Sequence, residues 1–150
     1  MGITDDRIID DVRTELATDP RLPYSDEIAV EAFGDAATLR GTVGSFAQQR
    51  AAVADARRTR GVVDVYDELQ VRLLGDDRRK DAEIRGAALQ RLAWDSEIPG
   101  GYLDADVRDG WVTLKGDVDF QFQSDVAFDD VSGLYGVTGV TNDIKVVERL

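Results

Sequence analysis

Residues 136–146 read GVTGVTNDIKV, and residues 61–71 read GVVDVYDELQV. The two segments share Gly, Val, Val, an aliphatic residue and Val in one register, 75 residues apart. Extended at that offset, Ile28–Val71 superposes without a gap on Leu103–Val146, bringing Gly41 to Gly116, Val43 to Val118, Gly61 to Gly136, Val65 to Val140 and Leu69 to Ile144. Upstream the offset becomes 76, with Ile8 on Ile84, Leu16 on Leu92, Asp19 on Asp95 and Pro23 on Pro99, so one residue is lost in the loop after the proline. An internal repeat constrains the fold before any other feature does, and two copies make a tandem pair of small domains rather than a solenoid. Domains of about 65 residues have modest cores and gain from packing together.

Periodicity gives each copy the same order of elements. In the first, Thr4 is predicted to cap a helix whose apolar stripe is Ile8, Ile9, Val12 and Leu16, and TDPRLP ends it. EIAVEAF alternates at Ile28, Val30 and Ala32 as a half-buried strand does. Gly34-Asp35 is a tight turn into ATLRGTV, which turns Leu39 and Val43 inward. Ser45 and Gln48 form a capping box for a helix through Ala51, Ala52 and Ala56 to about Arg58. Gly61 stops that helix before a longer strand, VVDVYDELQVRL.

The second copy predicts a helix over Asp81–Ala93, a strand over Tyr102–Val107, a turn at Asp109-Gly110 and a strand over Trp111–Val118. A helix over about Phe120–Ser132 and a last strand over Val137–Val147 complete it. An Asp-Gly turn makes the first two strands a hairpin. The helix between the second and third predicts a parallel pair with a right-handed crossover. The expected fold is α+β: two tandem α-β-β-α-β units, each a small mixed three-stranded sheet with two helices packed on one face. The domains are placed at 4–74 and 81–148, with a charged linker at 75–80 reading GDDRRK.

Composition removes most catalytic chemistry. There is no Cys and no His, so Ser-His and Cys-His nucleophiles and His-ligated zinc are excluded. A net charge of −12, from 30 acidic against 18 basic residues, opposes phosphate binding; nucleic acid is not expected as a partner. The same charge disfavours an anionic membrane surface. Asp outnumbers Glu 23 to 7 and Arg outnumbers Lys 15 to 3, in keeping with solubility and a genomic bias; adaptation to high salt is the sharper reading. No stretch approaches the roughly 20 apolar residues of a membrane span. MGITDDRIIDD is charged where a signal peptide carries an apolar run, and it is a poor myristoylation match. A cytoplasmic location is the expectation.

Several features are candidate sites. Asp5-Asp6, Asp10-Asp11, Asp76-Asp77 and Asp129-Asp130 are adjacent carboxylates, which elsewhere share a proton or hold Ca²⁺ or Mg²⁺. Neighbours on a helix point about 100° apart and do not converge on one ion. DADVRDG, residues 104–110, resembles a calcium loop only faintly and fits a strand and turn. No metal site or cofactor is therefore expected, and the carboxylates read as solvated charge. Trp94, Trp111, Phe120 and Phe122 occur in the second copy only, where the first has Thr18, Ala36, Ser45 and Ala47. They either fill an interface or sheet edge, or present an aromatic patch to a lipid, a peptide or a second copy of the chain. Arg57, Arg58 and Arg60 complement a helix dipole or bind an anion. Gly133, Gly136 and Gly139 follow a helix rather than open one, unlike a dinucleotide loop. Carbonyls freed at Gly61 or Gly136 offer a route to a monovalent cation without side-chain ligands.

Leu39-x-Gly41-x-Val43-x-Ser45, the Ala-spaced helix and Gly61-Val62-x-x-Val65 resemble the BON (bacterial OsmY and nodulation) domain family. The second copy, with DAEIRGAALQRLAWDS, DGWVTLKGDVDFQFQ and GVTGVTNDIKV, is similar to the tandem, OsmY-like members. The likeness spans about residues 4–147. Asn142 matches the family's Asn near the last strand, where the first copy has Tyr66-Asp67-Glu68. The resemblance implies a non-catalytic, stress-associated binding or adaptor module. It also brings in phospholipid binding, known of periplasmic members, and potassium sensing, known of a cytoplasmic member with an added LysM domain. A potassium- or calcium-responsive module and a phospholipid-surface binder are the alternatives; acid/base catalysis by carboxylates is the remaining enzyme reading. Trp94, Trp111, Phe120, Phe122, Gly61, Gly136 and Asn142 are the candidate ligand or partner contacts. The partner itself, whether protein, lipid or cation, is not named by the sequence.

Overall fold

The computed structural model describes residues 3–75, 78–98 and 103–147. It divides into two compact units between Arg72 and Leu73. The first runs α1 (Ile3–Ala17), a 3-10 turn (Ser25–Glu27), β1 (Ile28–Phe33), β2 (Ala36–Val43), α2 (Phe46–Arg58) and β3 (Asp64–Val71). The second runs α3 (Asp81–Trp94), β4 (Leu103–Arg108), β5 (Trp111–Val118), α4 (Gln121–Ser132) and β6 (Gly139–Val146). Each unit is the α-β-β-α-β arrangement that the repeat predicts. Helix α1 starts at Ile3, so Thr4 lies inside the helix and does not cap it. Asp76 and Asp77 of the linker, Pro99, Tyr102 and residue 148 lie outside the described residues.

Each sheet places its middle strand in sequence at its centre. β1 and β2 are antiparallel, with Val30 opposite Leu39, and β2 and β3 are parallel, with Leu39 beside Asp67. β4, β5 and β6 repeat this with Ala105, Leu114 and Asn142 in the equivalent row. The parallel pair follows from the intervening helix, which returns the chain to the same end of the sheet. The hairpins are tight. Asp109 and Gly110 both take positive φ, 52° and 79°, as a two-residue I′ turn requires.

One face of each sheet is covered. α1 packs on β1, α2 on β3, and the two helices on each other; α3 and α4 do the same over β4 and β6. The first core centres on Val12, Leu16, Ala37, Leu39, Ala52 and Ala56. The second centres on Ile84, Ala88, Val112, Leu114, Ala127 and Val131. Alanines at the crossings let helix backbones sit close to the strands, which suits a thin core in a domain this small. The opposite sheet face is open, and on it Arg40 of the central strand pairs with Glu31 at 2.8 Å and with Glu68. Such exposed pairs contribute little to stability.

A carboxylate in the first turn of each leading helix pins its hairpin. The Gly34 N–H donates to Asp5 at 3.0 Å, and the Asp109 and Gly110 N–H groups donate to Asp81 at 2.9 and 3.0 Å. Asp5 and Asp81 are equivalent at the 76-residue offset. At least one member of the Asp5-Asp6 pair is thus a structural clip.

Candidate functional site

The four aromatics of the second unit occupy two places. Trp111 opens β5 on the open sheet face, beside Gly139 of β6. Its indole lies over that glycine, where an added Cβ would sit 2.3 Å from the ring, and its N–H donates to the Thr141 hydroxyl at 2.7 Å. The ring is 48% exposed, so it is partly a lid on the sheet edge and partly free surface. Phe120 and Phe122 lie beyond the other end of β5, at the start of α4. Their rings stack with centroids 5.8 Å apart and planes 18° apart. Trp94 ends α3. The loop after it is tied to the start of α4, because the Gln123 amide donates to the Glu97 carbonyl at 3.2 Å. Trp94, Phe120 and Phe122 therefore share the end of the unit opposite the β4–β5 hairpin. They are 76%, 60% and 52% exposed.

Local chemistry at Phe120 separates it from an ordinary surface aromatic. In the first unit Ser45 caps α2, accepting from the Gln48 N–H at 3.1 Å, while the Gln48 side chain accepts from Gly44 N–H at 2.9 Å. The second unit keeps the reciprocal half, with the Gln123 side chain accepting from Asp119 and Phe120 N–H, both at 3.1 Å. Phe120 stands where Ser45 stands and cannot accept, so α4 has no side-chain cap. A cap of this kind is worth about 1 kcal/mol. The second copy forgoes that hydrogen bond and exposes an aromatic pair in its place.

Gly61, Gly136 and Asn142 each have a local role in the fold. Gly61 and Gly136 take φ of 93° and 88° just after α2 and α4. The carbonyls around these turns accept from the chain: Thr59 from Val62, Asp35 from Val63 and Asp64, Leu134 from Val137, and Gly110 from Thr138. Asn142 is a clamp. Its amide donates to the Ser124 hydroxyl at 2.9 Å on α4, and its carbonyl oxygen accepts from Ile144 N–H at 3.1 Å. Asp67 does the same work in the first unit, accepting from Gln49 on α2 at 2.9 Å and from Leu69 N–H at 3.0 Å. Asn142→Ala is therefore expected to lower stability by about 1–2 kcal/mol, read from urea unfolding.

The sequence reading missed a pair of buried acids that recurs in both units. Asp55 of α2 is 0% exposed and bonded through its side chain to Asp19, in the loop after α1. Burial, then the bond to Asp19, pushes its carboxyl from the ordinary 3.8 to about 6. Bidentate contact with Arg21, at 3.0 and 2.8 Å, holds Asp19 far below the usual carboxylate range. The second unit repeats this with Asp130 of α4, raised to about 6 by burial and by Asp95. Asp95 is lowered by its bond to Asp130 and by the Glu97 N–H, at 2.9 Å. Asp55 and Asp130 each leave one buried oxygen without a conventional donor, as expected where a carboxyl faces a carboxylate. A signal was present: Asp55 interrupts the apolar stripe of Ala51, Ala52 and Ala56, and Asp130 that of Ala127 and Val131. Among the described residues, no group of three or more His, Cys, Asp or Glu is placed to hold a metal ion. None of the described helices is long and apolar enough to cross a membrane.

Comparison with known proteins agrees with the doubled architecture. The profile of the BON domain matches residues 4–72 and again 80–148. Osmotically-inducible protein Y of Escherichia coli (strain K12) is 34% identical over 130 residues, an overlap of 81% of this chain and 62% of that protein. The chain thus spans under two thirds of that relative's length. Two solved structures of CdsD, a structural protein of the type III secretion system of Chlamydia trachomatis, also align. One, of its C-terminal domain, does so at 12% identity and a TM-score of 0.39, over 95% of this chain and 67% of that one. The other does so at 11% and 0.38, over 96% and 64%. Likeness at that level carries no weight beside two profile matches that between them take in nearly the whole sequence. The chain belongs to the BON domain family, and carries two copies of the domain in tandem.

Proposed function

We propose that this chain is a non-enzymatic binding module of the osmotic stress response, which captures an apolar partner surface through Trp94, Phe120 and Phe122. The stress association draws on the likeness to osmotically-inducible protein Y. The observation that carries the binding reading is Phe120 in a helix-cap position, where it gives up a hydrogen bond and stacks in the open on Phe122. A local rule broken at an exposed site points to function rather than to folding. Against catalysis stand the absence of His and Cys and the burial of Asp55, whose carboxyl is the most enclosed among the described residues.

Phe120→Ser with Phe122→Ala tests the reading, since Ser restores the first unit's cap. The double variant is expected to keep or gain about 1 kcal/mol of stability while losing its partner. Affinity capture from salt-shocked cells, quantified by mass spectrometry, is expected to show at least about tenfold depletion of the proteins held by the wild type. Equal recovery by both proteins would remove the aromatic end from the interaction. A second reading, docking on a zwitterionic lipid surface, is favoured by the same exposed pair together with the net charge of −12, which repels anionic bilayers. Co-sedimentation of the wild type with phosphatidylcholine vesicles, lost in the double variant, would select it.

A further inference from the structure

We infer that the outer edge of β1 is a strand-pairing surface that takes β1 of a second copy of this chain, antiparallel and related by a two-fold axis. A sheet edge offers unpaired N–H and C=O groups to any passing strand, and folded chains block it with side chains. Among the described residues, three of the four edges are interrupted in this way. On β3 the Leu69 N–H donates to Asp67 at 3.0 Å, and the Leu69 carbonyl accepts from Gln49 at 3.4 Å. On β6 the Ile144 N–H donates to Asn142 at 3.1 Å. On β4 the Ala105 N–H donates to Asp104 at 2.8 Å. Arg85 reaches from α3 to the Ala105 carbonyl and to Asp104, each at 2.8 Å. The first unit has no counterpart of that last guard: Ile9, Ala29 and Val30 stand at the positions of Arg85, Asp104 and Ala105.

The turn at Gly34-Asp35 makes Phe33 and Ala36 its closing, hydrogen-bonded pair, so alternation turns the N–H and C=O of Val30 and Ala32 away from β2. Among the described residues, neither main chain has a partner on that side. Their side chains enter the core, while Ala29, Glu31 and Phe33 are exposed. The strand, IAVEAF, has no Pro or Lys, and its one charge, Glu31, is already held by Arg40 at 2.8 Å. An apolar strand on an open edge is both template and guest, so a second copy is the occupant that fits. Two registers overlap nearly the whole strand with the outward groups facing. One sets Glu31 against Glu31 of the other copy, where like charges repel. The other centres on Val30 and sets Glu31 of the second copy beside Ala29, in the row of Arg40. The small Ala29 side chain leaves the guanidinium room to reach across, so each Arg40 serves a carboxylate from both copies. Charge therefore selects the register in which Val30 N–H donates to the Val30 carbonyl of the other copy, and Ala32 N–H to the Ile28 carbonyl. Ile28 N–H is already spent on the Ser25 carbonyl, so the contact is short and the dimer weak.

Amide exchange in the full chain reads the contact. From about 10 µM to about 1 mM protein, protection of the Val30 and Ala32 amides is expected to rise at least about threefold, with Ala105 unchanged, as dimer replaces monomer in sedimentation velocity. Ala29→Asp with Ile9→Arg moves the guard of β4 onto β1 and is expected to abolish both changes. Ala29→Asp alone, at an exposed position, carries the test if Ile9→Arg upsets the core. The edge does not include Trp94, Phe120 or Phe122, so Phe120→Ser with Phe122→Ala is expected to associate as the wild type does. A chain that stays monomeric at about 1 mM, a dimer whose Val30 and Ala32 amides stay fast, or association that survives Ala29→Asp would each overturn the inference. Protection at Val30 gained only with a different protein would assign the edge to a foreign strand and overturn it likewise.

Discussion

Gly41→Ala is expected to loosen the first unit by about 3 kcal/mol, seen as amide exchange along the β1–β2 ladder that is faster by roughly a hundredfold. Two effects add. Gly41 holds φ at 127°, in a region that side chains rarely adopt, and strain of that kind costs on the order of 1–3 kcal/mol. A Cβ built there would also lie 2.5 Å from the Glu27 carbonyl oxygen, a backbone atom that cannot swing aside. Gly34→Ala is the control. It too sits at positive φ, 62°, but a Cβ there meets nothing within 4 Å, so its cost is the conformational one alone, about 1–2 kcal/mol. Equal acceleration of exchange in the two variants would show that the contact with Glu27 does not matter. Gly116 repeats the conformation at φ 129°, which explains why the glycine recurs in both copies.

The frame of the fold is legible because its causes are local. Alternation at Ile28, Val30 and Ala32 gives β1, and the helix between two strands makes their pairing parallel. The Ser45–Gln48 cap needs only residues three apart. What escapes are interactions whose partners lie far apart in sequence. Asp5 looks like half of an acidic pair until Gly34 is folded back onto it. Asp19 and Asp55 have no relation along the chain, and a lone Asp in an alanine stripe reads as surface charge until a second Asp arrives to share its proton. Thr4 fails as a cap for a simpler reason: helix α1 begins at Ile3. The aromatics were visible as a group, but sequence could not sort them. Trp111 begins β5, whereas Phe120 and Phe122 lie past its end, and an eight-residue strand separates them by roughly 25 Å or more.

Leu39→Ala and Leu114→Ala are each expected to cost about 3 kcal/mol, within the 2–5 kcal/mol seen for buried leucines, as measured by urea unfolding of the full chain. Both are fully buried at the middle of a central strand, with a neighbour strand on either side, so the hole left by truncation is walled by a hydrogen-bonded ladder that cannot collapse into it. The two sites differ in what lies across the antiparallel pair. Val30 faces Leu39, whereas Ala105 faces Leu114. A valine can lean part-way into a cavity and an alanine cannot, so Leu114→Ala is expected to be the costlier of the two. Leu→Met at the same positions nearly conserves volume and is expected to cost under about 1.5 kcal/mol. A loss below 1 kcal/mol in either alanine variant would mean that the core of that unit is held by its helices alone, with the central strand contributing hydrogen bonds but little packing.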